Sequence, residues 1–297
     1  MNIFESERRR QILELRKANR MEKRGNVQAE QQQIANQRIA EQMAKGNEVR
    51  PEREKRQAWR TALDMYSLIQ NLGIEISNPD SIAQKILADH IAQQAPIPFV
   101  GFWGVGDKPS ADAIDNKYLD ELNSIRQSVQ RQYEPGTSIT IIMADLHGQF
   151  NGFIEKAEDN NSSSYLAQIA KTLAEQNFQV AWLRDLYRKY SLQLPNINDP
   201  IKFFDNYFSR SEVDAIYSKH KERYVRSANS HHQHDIDPKQ AAYYYVEMRL
   251  NEREMLQREY SHSFLLINGT KMASEPLLPK SMPILYLNTG PVWFKKE

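Results

Sequence analysis

Short, predominantly apolar runs alternate along this chain with longer stretches in which apolar residues recur every three or four positions. Ile139–Met143, Ser263–Ile267 and Pro283–Leu287 are each too short for an amphipathic helix and read as buried strands. Pro96–Gly104 reads as an extended apolar segment entering a loop, and Phe178–Trp182 as a further strand. Helical spacing marks residues 56–70 through Trp59, Leu63, Tyr66 and Ile69, and residues 78–90 through Ile82, Ile86 and Leu87. It returns over 112–133 through Leu119, Leu122, Ile125 and Val129, and over 165–176 through Leu166, Ile169 and Leu173. Leu183–Tyr190, Pro200–Arg226 and Pro238–Tyr260 complete the set. Asn71-Leu72-Gly73 and Glu134-Pro135-Gly136 punctuate it as a helix stop and a turn. Strands that alternate with helices predict an α/β fold with helices in excess.

Residues 1–60 differ from the rest. They hold 15 Lys/Arg against 9 Asp/Glu, in a chain of 297 residues with net charge +1. Strong helix formers predominate there and the apolar face is narrow, so 1–55 reads as a basic helical arm for oligomerisation or a partner, RNA included. The α/β catalytic domain is expected over 56–297, with a helical lead-in over 56–95. The absence of cysteine excludes disulfides, thiolate metal sites and cysteine nucleophiles. No metal is expected. Mean hydropathy is −0.71, and no apolar stretch is long enough to span a membrane. The first residues carry no apolar signal core, so a cytoplasmic protein is expected.

The richest chemistry follows the strand at Ile139, in the run Ala144-Asp145-Leu146-His147-Gly148 and then Asn151-Gly152. Open α/β sheets bind ligands outside the carboxyl ends of their strands. There Asp145 can bind an amine or orient an imidazole, and His147 can act as acid or base. An Asp-initiated turn with a surface histidine is the plainer alternative. Asn151 is a binding candidate or ordinary Asn-Gly turn chemistry.

Gly101, Gly104 and Gly106 with Lys108 form a loop able to approach an anion, though in neither a dinucleotide nor a P-loop pattern. Trp103 is a pocket wall or core. Lys219, Arg223 and Arg226 present cations near helical spacing, for a phosphate or for solvent. Arg249, Arg253 and Glu254 fit ordinary pairing along a helix, and Tyr243–Tyr245 fits core or interface. The His231-His232-Gln233-His234 run lacks the spacing that gathers imidazoles on one ion. Lys271 lies past the carboxyl end of its strand, His262 at the other end, and Trp293 caps a pocket or anchors the tail.

The order of these features resembles a known family. A Pro98–Ser110 segment with a Gly/Lys/Pro loop precedes a helix. Tyr133-Glu134-Pro135-Gly136, the strand to Asp145, a Tyr165-Leu166 helix, Leu278-Pro279 and Pro291-Val292-Trp293 follow. Over residues 96–297 this is similar to the isonitrile synthases of the pyoverdine/dityrosine biosynthesis family. The resemblance implies a Rossmann-like fold. It implies conversion of an amino acid's amine to an isonitrile, with ribulose 5-phosphate as carbon source and no metal. Where that family reads Lys-Ser-Pro-Asn, this chain has Asp107-Lys108-Pro109-Ser110, and the family's Ser-Asp-Gly is here Ala144–Gly148. Asp145 and Lys108 carry across.

The expectation is therefore a biosynthetic enzyme of specialised metabolism acting on an amino acid or similar amine. In it Asp145 holds or deprotonates the amine and His147 assists proton transfer. Lys108 and Lys271 steady an anion such as a sugar phosphate, and Trp103, Asn151 and Arg223 contribute to binding. A transferase using a nucleotide-like cofactor such as S-adenosylmethionine is one alternative; a non-enzymatic interaction protein is the other.

Overall fold

The structure is a computed structural model, and it describes residues 49–73, 75–77, 80–104, 110–147, 161–192, 211, 218, 238–268 and 277–289. The chain divides into two units, Met1–Gln57 and Ala58–Glu297. Most of the basic arm, the Pro200–Arg226 helix apart from Ser211 and Ser218, and Gly106, Lys108, Asn151, Lys219, Arg223, Arg226, the histidine run 231–234, Lys271 and Trp293 lie outside the described residues. The Tyr243–Tyr245 side chains do as well.

Helix α1 (Val49–Leu72) ends just before Gly73 and leads to a short strand, β1 (Glu75–Ser77), which the apolar pattern does not announce. Then follow α2 (Asp80–Ala92), β2 (Ile97–Gly104), α3 (Ala113–Gln132), β3 (Thr137–Ala144), α4 (Asn161–Glu175), β4 (Gln179–Trp182) and α5 (Leu183–Lys189). Helix α6 (Pro238–Glu259), β5 (Phe264–Asn268) and β6 (Ile284–Leu287) close the order. The fold is α/β with helices in excess, as the alternation predicts. Among the described residues no helix is long and apolar enough to cross a membrane.

The six strands form one sheet in the order β1-β6-β5-β2-β3-β4. All neighbours are parallel except β1, which runs antiparallel to β6 on the edge. Pro98 is tolerated in the central β2 because pairing with β5 begins only at Phe99. From β2 the chain moves outward to β3 and β4, then returns to lay β5 on the other side of β2. Such a reversal opens a crevice at the carboxyl ends of the two strands flanking it. Here those ends are Gly104 and Asn268.

Strand alternation divides the core in two. Phe99, Trp103, Ile141, Met143, Phe264, Leu266 and Leu285 pack with residues of α1 to α4, among them Ile69, Leu87, Tyr118, Leu122 and Tyr165. Val100, Ile142, Ala144, Leu265, Ile284 and Tyr286 face α5 and α6, through Leu186, Tyr187, Met248, Met255 and Leu256. Gly101 lies inside β2 rather than in a loop. A Cβ there would stand 2.9 Å from the Tyr118 hydroxyl and 3.3 Å from the Leu266 Cβ. The missing side chain lets Tyr118 lie across the sheet.

Candidate functional site

Strand β3 stops at Ala144, and a tight turn follows. The Asp145 N–H donates to the Met143 carbonyl at 2.9 Å and the His147 N–H to the Ala144 carbonyl at 3.1 Å. The turn sends its two chemical side chains to different partners. Asp145 accepts the Arg184 backbone N–H on Oδ1 at 3.2 Å and the Arg184 guanidinium on Oδ2. Helix α5 begins after Trp182, whose side chain makes no capping bond. Asp145 therefore supplies, from another strand, the acceptor that the first turn of α5 lacks.

His147 turns towards α6. Its Nε2 lies 2.5 Å from Glu252 Oε1, and the other Glu252 oxygen accepts from Arg249 Nη1. Phe102 stacks beside the imidazole, ring centroids 6.1 Å apart and planes 21° from parallel. The Arg249 guanidinium lies over the same Phe102 ring, 5.2 Å from its centroid. Glu252 is fully buried, and His147 and Arg249 are each 9% exposed. Burial pushes the Glu252 carboxyl up, but the charges and hydrogen bonds of His147 and Arg249 outweigh it and hold the group below the usual carboxylate range. An ionised Glu252 can only accept. The His147 proton facing it therefore sits on Nε2.

The local sequence does not single out Glu252, because its neighbours Arg249 and Arg253 suggest a solvated face. A signal was present nonetheless. Met248, Glu252, Met255 and Leu256 lie on one helical stripe, and a carboxylate inside an apolar stripe needs a buried partner.

Trp103, expected as a pocket wall or core, is core on the opposite face of the sheet. It is 1% exposed, and its ring centroid is 4.7 Å from that of Tyr118. Its Nε1 donates to the Tyr165 hydroxyl at 3.0 Å, and that hydroxyl donates to Asp115 Oδ1 at 2.7 Å. Burial raises the Tyr165 hydroxyl pKa, and the adjacent Asp115 raises it further, so Tyr165 remains a neutral donor. Asp115 also closes a capping box with Asp112. The Asp112 N–H donates to Asp115 Oδ2 at 2.8 Å, and Asp112 Oδ1 accepts from Ile114 N at 2.8 Å and Asp115 N at 3.2 Å. The first turn of α3 is thus occupied by its own carboxylates, which opposes the phosphate binding that dinucleotide folds place at such a helix start.

No family model and no curated protein matches the chain. Among solved structures, the chain is similar to the PvcA protein from Pseudomonas aeruginosa, with a TM-score of 0.53 at 15% identity, over 79% of this chain and 80% of that one. The likeness is one of fold. Tyrosyl-tRNA synthetase from Aeropyrum pernix also overlaps, with a TM-score of 0.42 at 14% identity, over 76% of this chain and 61% of that one. The corresponding enzyme from Archaeoglobus fulgidus gives a TM-score of 0.38 at 15% identity, over 76% of this chain and 64% of that one.

Proposed function

We propose that the protein is a biosynthetic enzyme acting on an amino acid or similar amine-bearing small molecule, with His147 as its acid–base residue. The observation that carries this is the His147–Glu252 pair at the carboxyl edge of the parallel sheet, at 2.5 Å. A buried carboxylate fixes the imidazole's orientation and tautomer, and Phe102 fixes its plane. This is the arrangement a proton-transferring histidine needs. Arg249 keeps Glu252 ionised, so the pair does not rest on the imidazole alone.

The amine side of the proposal draws on the sequence resemblance to the isonitrile synthases, and the PvcA-like fold is compatible with it. Conversion of the amine to an isonitrile is the finer form of the proposal. Lys108 and Lys271 follow the carboxyl ends of β2 and β5 in sequence, and we assign them the anionic co-substrate. Asp145 is assigned the anchoring of α5, since both its oxygens are held by Arg184.

The test is metabolite profiling of cells expressing the wild type or His147→Asn, followed by incubation of purified protein with amino acids, with and without ribulose 5-phosphate. A product that consumes an amine and disappears in the variant is the expected result. An equal yield from His147→Asn removes the assignment.

A further inference from the structure

Asn268 closes β5 at the carboxyl edge, beside the point where the strand order reverses. Phe264 and Leu266 belong to the core on the Trp103 face, so strand alternation directs the Asn268 side chain to that face as well. Its register partner in β6 is Leu287. Asn268 is 6% exposed, and neither its Oδ1 nor its Nδ2 has a hydrogen-bond partner among the described residues. Buried amides are almost always paired, and an orphan calls for a reason. An apolar residue would cost less at this position. Retention of an unpaired amide at the switch point is what a binding group held for a ligand looks like.

We infer that Asn268 binds the head group of a free amino acid. Nδ2 donates to the α-carboxylate and Oδ1 accepts from the α-ammonium. The inference rests on the amino-acid reading above and names its recognition element, which meets the carboxyl edge from the Trp103 face while His147 meets it from the α6 face. An asparagine amide offers donor and acceptor together. A phosphate would satisfy the donor and set an anion against Oδ1, and a simple amine would leave Nδ2 orphaned. The zwitterion answers both, and it brings no net charge to a neutral buried amide.

The test is a thermal-shift and binding series on the full-length protein. The probes are individual free L-amino acids, their N-acetyl derivatives and their decarboxylated amines. At least one free amino acid should stabilise the wild type, with both blocked forms weaker on the order of tenfold or more. Asn268→Leu should abolish that binding while melting at or above the wild-type temperature, because no protein hydrogen bond is lost. Asn268→Asp keeps the acceptor and replaces the donor, so it should lose the amino acid yet retain the decarboxylated amine. That second variant decides the matter if the first does not fold. Unchanged amino-acid binding in Asn268→Asp overturns the inference and leaves the amino-acid reading standing. Failure of every free amino acid to bind the wild type overturns both.

Discussion

The imidazole of His147 and the carboxylate of Glu252 meet at 2.5 Å although 105 positions separate them in the chain. One ends a strand turn and the other lies on a helix of the opposite layer, so the pair ties α6 to the carboxyl edge of the sheet. Removing one partner of a buried ion pair strands the other. Glu252→Ala, which removes the buried carboxylate that His147 and Arg249 share, should cost about 3–5 kcal/mol in denaturant unfolding. A loss under about 1 kcal/mol, the range of ordinary surface changes, would contradict the buried pair.

The same carboxylate sets an acid-side limit. Its pKa is lowered on folding, so the folded state binds fewer protons than the unfolded chain in mild acid. The stability it contributes is complete above the ordinary glutamate value of about 4.3 and is lost as the pH falls from there through the lower folded value. Unfolding free energies measured across that window should fall more steeply for the wild type than for Glu252→Gln. Parallel curves would show that Glu252 is not the group responsible.

Asp145 and Arg184 give a separate test. Arg184 is 54% exposed on its side chain, so the ion pair itself is screened and worth little. The acceptor for the α5 backbone matters more. Asp145→Ala should lose about 0.5–2 kcal/mol, the usual cost of a missing cap. Asp145→Asn should lose less and keep turnover within a few-fold. Abolished turnover in a stable Asp145→Asn protein would instead return Asp145 to the chemistry.

Gly101 and Tyr118 should be coupled. Gly101→Ala drives a methyl against the Tyr118 hydroxyl and should cost about 1–3 kcal/mol. That hydroxyl is buried without a partner among the described residues, so Tyr118→Phe should be neutral or stabilising. In a double-mutant cycle, Tyr118→Phe should recover part of the Gly101→Ala loss. Strict additivity would mean the hydroxyl is not what the new methyl meets.

At the far edge of the sheet, burial and then the nearby charge of His262 lower the His90 pKa. His90 should titrate by NMR below the ordinary value of about 6.5 and rise when His262 is replaced by Ala. The favoured folded form is the neutral one, so His90 supports stability above that ordinary value and withdraws support as the pH falls through the lowered one. A His90 resonance unmoved by His262→Ala would rule out the electrostatic contact.

The sequence by itself determined the described elements other than β1. Apart from Ser263 and Pro283, which just precede β5 and β6, the runs at 139–143, 263–267 and 283–287 lie in strands, and the three-to-four spacing of Leu122, Ile125 and Val129 lies in a buried helix face, because burial on a sheet or a helix imposes those periods. It also singled out Asp145 and His147, since acid and imidazole crowded past a buried strand stand out locally. The tertiary structure decided what those residues touch. Both could be read as one site from their spacing, yet the turn after Ala144 gives one to Arg184 and the other to Glu252. It also decided that β5 returns beside β2, which puts the switch point at Gly104 and Asn268, one strand away from β3 and the Asp145–His147 turn. The apolar stripe of α6 says that Glu252 needs a buried partner but not that His147, 105 residues away, supplies it, and an amide orphaned by the packing around it leaves no periodic trace. Their energies arise only when the layers close.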